Sequence, residues 1–129
     1  MILLDTHVVV WMASTPAKLS RAASEAIREA SRDGGIAISA MTLWELAWLM
    51  TNGRLDINGT AESFVEEIAA RVAVRPITPK IAVLATQLPD SYPSDPSDRL
   101  IGATALAEGI PLVTKDRDVR NCKQIRTIW

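Results

Sequence analysis

Residues 2–7 read Ile2-Leu3-Leu4-Asp5-Thr6-His7: three apolar side chains in succession, then an acid, a hydroxyl and an imidazole. A half-exposed strand alternates apolar with polar residues, so a short unbroken apolar run reads as a strand covered on both faces, as in a parallel sheet. The polar residues follow at once, which predicts a direct turn into a helical stretch over about His7–Ala13. Asp5 is thereby left at the carboxyl end of the strand, the end at which open parallel sheets bind ligands.

The same pattern recurs along the chain. Ile36–Ser39 and Pro111–Thr114 read as further buried strands, with shorter ones at 74–77 and about Ile125–Trp129. Between them the spacing predicts helices. Ser20 caps one that runs to about Ser31, with Ala23, Ala26, Ile27 and Ala30 on one face, and Asp33-Gly34-Gly35 ends it. Others cover 41–51, closed by Thr51-Asn52-Gly53, about Thr60–Ala73, and Pro79 to about Leu88. A last helix has Asp95 as N-cap, Pro96 at its first position and Gly109 at its end. Strands alternating with helices predict an α/β domain with a mostly parallel sheet covered on both sides. With 129 residues, no linker, no repeat and no low-complexity tract, the whole chain 1–129 is expected to be a single domain. The Pro- and Ser-rich stretch Pro89–Pro96 is the one expected to be mobile.

Fourteen basic and fifteen acidic residues leave a net charge of −1, which gives no global pull towards nucleic acid or an anionic membrane. The distribution is less even, for Arg99, Lys115, Arg117, Arg120, Lys123 and Arg126 form a basic set near the acids of the last quarter. One cysteine, Cys122, and one histidine, His7, exclude an internal disulfide and do not make a zinc site. No apolar segment approaches the roughly 20 residues of a membrane span. The start lacks the basic, apolar and cleavage regions of a secretory signal, so a cytoplasmic location is expected.

Four acids stand where acids are expensive. Helix 41–50 is apolar nearly all the way round, which predicts burial of most of its surface with Glu45 in the middle. Asp5 and Asp116 each follow a buried strand and are expected to share one edge of the sheet. Asp98 lies in the first turn of its helix; Asp95 already serves as the cap, which leaves Asp98 free to project, with Arg99 beside it to steady an anion. Asp118 is a spare acid next to Asp116. Such a cluster repels itself unless compensated, and an all-oxygen donor set suits Mg²⁺ or Mn²⁺.

Asp5-Thr6 after the first strand, Glu45 in the helix after the second, Asp95-Pro-Ser-Asp98-Arg opening a helix that continues to Ala105, and Leu112-Val-Thr-Lys-Asp116 at the penultimate strand together resemble the PIN domain, and more narrowly the VapC toxins of bacterial toxin–antitoxin pairs. The resemblance spans essentially the whole chain. It implies a three-layer α/β/α sandwich, Mg²⁺- or Mn²⁺-dependent endoribonuclease activity on an RNA substrate, homodimerisation, and inhibition by a cognate antitoxin. It places Asp5, Glu45, Asp98 and Asp116 at metal-binding positions, Thr6 and Thr114 at assisting hydroxyl positions, and either Arg117 or Arg99 at a phosphate. His7 receives no catalytic role.

In such a site a metal-activated water attacks phosphorus in line, with no protein nucleophile. The large side chains Trp11, Trp44, Trp48 and Met50 serve either the core or an interface with a second copy or an antitoxin helix. A receiver-like signalling module is the rival of another class, but Asp56 has no strand before it to make it a phosphorylation site. An aspartate-nucleophile phosphatase would want an acid where His7 stands. A binding-only scaffold is disfavoured because all four acids are present, while a housekeeping RNA-processing or DNA-acting nuclease shares the same catalytic residues.

Overall fold

The computed structural model describes all residues, 1–129. Five strands, β1 (Ile2–Leu4), β2 (Ile36–Ser39), β3 (Ala73–Arg75), β4 (Leu112–Val113) and β5 (Thr127–Ile128), lie in the order β3-β2-β1-β4-β5, and every neighbouring pair is parallel. The expected mostly parallel sheet is therefore wholly parallel. The chain steps from β1 outwards through β2 to β3, then returns to the other side of β1 for β4 and β5. This reversal makes the carboxyl ends of β1 and β4 the switch point where a crevice opens.

Alternation along the strands sorts the core into two layers. Ile2 and Leu4, Ile38 and Val113 point to one face, where they meet α1 (Thr6–Ser14), α2 (Arg21–Arg32), α3 (Ala40–Thr51) and α4 (Ala61–Arg71). Leu3, Ala37 and Leu112 point to the other and pack under α6 (Pro96–Glu108) and α7 (Arg117–Arg120), while α5 (Pro79–Gln87) lies against α6. The result is the three-layer α/β/α sandwich. Leu3, Leu4, Ile38, Leu112 and Val113 are essentially inaccessible to solvent, as strands covered on both faces must be.

Helix ends follow the sequence chemistry. Ser20, Ser39, Thr60 and Thr78 each accept a backbone N–H of the following helix, and Gly109 closes α6 with φ of 64°, in the left-handed region that favours glycine. Two expectations are corrected. The helix over 41–50 is not buried on most of its surface: only Thr42 and Leu46 are, and Trp44 and Trp48 stand 60% and 43% exposed. Apolar side chains all round a helix signal burial only where partners are available on all sides, and α3 turns one face to solvent. The stretch Pro89–Pro96 is not loose, because Tyr92 is 2% exposed in the core beneath α6 and its hydroxyl donates to the Asp98 carbonyl at 2.9 Å. The short helix α7 went unpredicted; a single turn leaves too few residues for a periodicity to show.

Candidate active site

Backbone register builds the centre of the site. Leu4 pairs with Val113 across β1 and β4, and the Asp5 N–H donates to the Val113 carbonyl at 3.1 Å. The next residues, Asp5 and Thr114, therefore lie side by side. Thr114 Oγ1 donates to Asp5 Oδ2 at 2.8 Å and accepts the Asp116 N–H at 3.1 Å, tying the two strand-end acids together through one buried hydroxyl. Asp5 Oδ1 accepts the Thr6 N–H at 2.9 Å and caps α1. Asp5 is buried and its carboxylate is held through both oxygens, so its orientation is fixed before anything binds.

Glu45 comes to the same place from α3. Thr6 Oγ1 donates to Glu45 Oε1 at 2.5 Å, which leaves Thr6 Oγ1 to accept from Thr42 Oγ1 at 3.1 Å. Thr42 is fully buried one helical turn before Glu45. It went unnoticed in the sequence, although its position three residues from the acid on an otherwise apolar helix is the signal that marks it.

Asp98 projects from the first turn of α6, which Asp95 caps by accepting the Ser97 N–H at 2.8 Å. No side-chain hydrogen bond or ion pair compensates the Asp98 carboxylate. Burial pushes its pKa up to about 7, and the charges of Asp5, Asp95, Glu45 and Asp116 add to the shift. Asp5, Thr6, Glu45 and Asp98 line one cavity of about 290 Å³, and Asp116 opens on an adjoining one that shares His7. Asp116 also caps α7, its Oδ1 accepting the N–H groups of Asp118 and Val119 at 2.9 and 3.3 Å. Asp118 itself is exposed.

The basic residues divide differently from the sequence expectation. The Arg99 guanidinium is directed at the carbonyls of Ala85 and Leu88, each at 3.2 Å, and lies over the Tyr92 ring, so it clamps α5 to α6 and pairs with none of the acids. Arg117 is exposed and makes no side-chain bond. Arg54, which the sequence reading passed over, lines the acid cavity from the turn after α3. His7 Nε2 accepts the Lys115 N–H at 2.9 Å, which puts its proton on Nδ1, 3.7 Å from Asp5 Oδ2. It ties α1 to the β4–α7 connection.

No three acids close into a ready-made cage of donors. Mg²⁺ asks for less: it keeps several of its waters and takes one or two carboxylates. One pre-set carboxylate flanked by further acids without lysine or arginine partners supplies that donor set and the charge it needs, so the residues fit a hydrated hard cation.

A profile of the PIN domain matches residues 2–124. Ribonuclease VapC22 of Mycobacterium tuberculosis is 42% identical over 130 residues, with 99% of this chain and 98% of the relative covered. Solved structures of similar backbone include VapBC2 from Rickettsia felis bound to a DNA fragment from their promoter, with TM-score 0.76 and 18% identity over 98% of this chain and 97% of that one. Another is VapC20 of Mycobacterium tuberculosis, a sarcin-ricin loop cleaving toxin, with TM-score 0.68 and 19% identity over 98% and 99%. At these identities the two structures show a shared fold.

Proposed function

The chain belongs to the PIN domain family, and on that premise we propose that it is a Mg²⁺- or Mn²⁺-dependent endoribonuclease, the toxin half of a toxin–antitoxin pair. The observation that carries this reading is the gathering of Asp5, Glu45 and Asp98 around one cavity at the switch point of the sheet, with Asp116 on the adjoining one and no lysine or arginine paired to any of them. The 42% identity to a named VapC ribonuclease supports the activity, and the solved VapBC2 structure of similar fold supports an antitoxin partner.

Asp5 and Glu45 are the first candidates to hold the cation, with Asp98 and Asp116 completing its surroundings. Held by these residues, a divalent cation would supply Lewis-acid polarisation of the scissile phosphate and lower the pKa of a water near it. The protein's own part is positional. Thr114 and the Thr6 amide fix Asp5, Thr6 Oγ1 aims Glu45, and the cap at Asp95 lets Asp98 project. No serine, cysteine or histidine is set up as a nucleophile, since His7 is engaged by the Lys115 amide. Hydrolysis by water leaves a 5′-phosphate, whereas a 2′,3′-cyclic phosphate end would speak for attack by the ribose. The apolar face of α3 around Trp44 and Trp48 is the surface for a second copy or an antitoxin helix.

The test is cleavage of a panel of structured and single-stranded RNAs by partner-free protein with Mg²⁺, with Mn²⁺ and with chelator, beside Asp98→Asn. Cleavage that needs the metal and vanishes in the variant is the expected result. Cleavage that persists with chelator would sink the reading.

A further inference from the structure

Trp11 belongs to none of the three apolar clusters of the molecule, although its neighbours Val10 and Met12 pack against one of them. It stands one helical turn beyond His7, edge to face with that imidazole at 5.0 Å between centroids, and 5.9 Å from Trp129. The ammonium groups of the exposed Lys115 and Lys18 lie over its ring, 5.6 and 5.7 Å from the centre, in cation–π contact, and neither is paired with an acid.

Two open hollows share this indole. One, of about 380 Å³, is walled by His7, Trp11, Lys115 and Asp116. In the other, of about 400 Å³, Trp11 meets Lys18 and Arg54. His7 and Arg54 also line the acid cavity, so both hollows border it. A cluster of carboxylates repels a polyanion. An indole covered by two exposed lysines without acid partners supplies what a single nucleic-acid strand needs: as the ammonium groups swing from the ring to the phosphates, the face they leave is a surface on which a base stacks.

We propose that Trp11 is the stacking platform for an unpaired nucleobase adjacent to the cleaved phosphate, with Lys18, Lys115 and Arg54 taking the flanking phosphates. The position next to the cleaved bond rests on the ribonuclease reading; the binding of single-stranded RNA does not. The substrate must then be unpaired where it is cut, because a base held in a duplex does not offer its face.

The experiment measures binding by fluorescence anisotropy, in an Asp98→Asn background that prevents turnover. The probes are a short labelled single-stranded RNA of mixed sequence, its abasic counterpart and a duplex of the same length. Trp11→Ala is expected to weaken binding of the base-bearing strand by about 10- to 100-fold, with Trp11→Phe retaining most of the affinity. The abasic strand should bind the Asp98→Asn parent and its Trp11→Ala derivative equally, and the duplex should bind no better than the abasic strand. Lys18→Gln with Lys115→Gln should lower the salt slope by about 0.7 per lysine. These two variants and Trp11→Phe keep the test decisive should Trp11→Ala fail to fold by circular dichroism.

Equal affinity of the Asp98→Asn parent and its Trp11→Ala derivative for the base-bearing strand, the same loss on the abasic strand, or no RNA binding at all would overturn the platform. Metal-dependent cleavage with no dependence on Trp11 would sink the platform alone. Trp11-dependent binding without metal-dependent cleavage would sink the ribonuclease reading and leave the platform standing.

Discussion

Burial, and after it the acids nearby, oppose the charge of Asp98, and this has a consequence in stability as well as in activity. Its pKa is near 7 in the folded chain, against an ordinary value of 3.8. Between these values the folded state holds a proton that the unfolded state has lost, so the metal-free protein loses stability as pH climbs from about 4 to 7 and is level above. The loss is about 2 kcal/mol, roughly half of the full shift, because solvent screens a half-buried carboxyl. Asp98→Asn should abolish cleavage, stabilise the metal-free protein at pH 8 by a similar amount, and flatten the dependence, as followed by urea unfolding across that range. The hydroxyls that aim the acids make a second prediction. Thr6→Val and Thr114→Val keep every carboxylate but free Glu45 or Asp5, and each is expected to lower activity or metal affinity about 10- to 100-fold. Single-turnover cleavage against metal concentration separates the two effects.

At the scale of elements, α6 is positioned by a notch. A Cβ built on Gly102 would stand 2.1 Å from the Tyr92 hydroxyl, closer than any real contact, and Tyr92 is rigidly buried with its phenol pushed up by burial. Gly102→Ala must therefore displace Tyr92 or the helix. It is expected to destabilise the fold by about 1–3 kcal/mol, and to depress cleavage because Asp98 rides on the same helix. Tyr92→Phe removes only the bond to the Asp98 carbonyl and should cost about 1 kcal/mol. Denaturant midpoints of the two variants check both values, and a Gly102→Ala protein as stable as wild-type would show that the notch has slack. The helix α3 shows the opposite arrangement: one narrow stripe, Thr42 and Leu46, is buried, Glu45 sits beside it, and the tryptophans face away. Its sequence serves two surfaces, which is why it reads as apolar all round.

For the whole molecule, the acids make the metal-free fold less stable than its core alone would allow, and a cation that binds only the folded state should recover this. At a hundred times its Kd, Mg²⁺ should raise Tm at pH 8 by about 5–10 °C, and by less at pH 5.5, where Asp98 is protonated. Thermal melts with and without chelator test this, and an equal rise at both pH values would show that Asp98 takes no part. The sequence by itself determined the class of fold and the order of its elements except α7. Short apolar strands, hydroxyl and acid caps, Pro96 and Gly109 are local signals, and each acts on its own few residues. The same local logic marked Asp5, Glu45, Asp98 and Asp116 as acids in unusual places. Only the tertiary structure decided what those residues touch. The Thr114–Asp5 and Thr6–Glu45 bonds join positions 109 and 39 residues apart, Arg99 turns to the carbonyls of α5, and Arg54 arrives at the acids from a turn. The open side of α3 and the buried Tyr92 belong to the same class. A side chain's contacts across the sheet depend on exact register and on which helix covers which face, which the local signals that put an acid at a strand end do not specify.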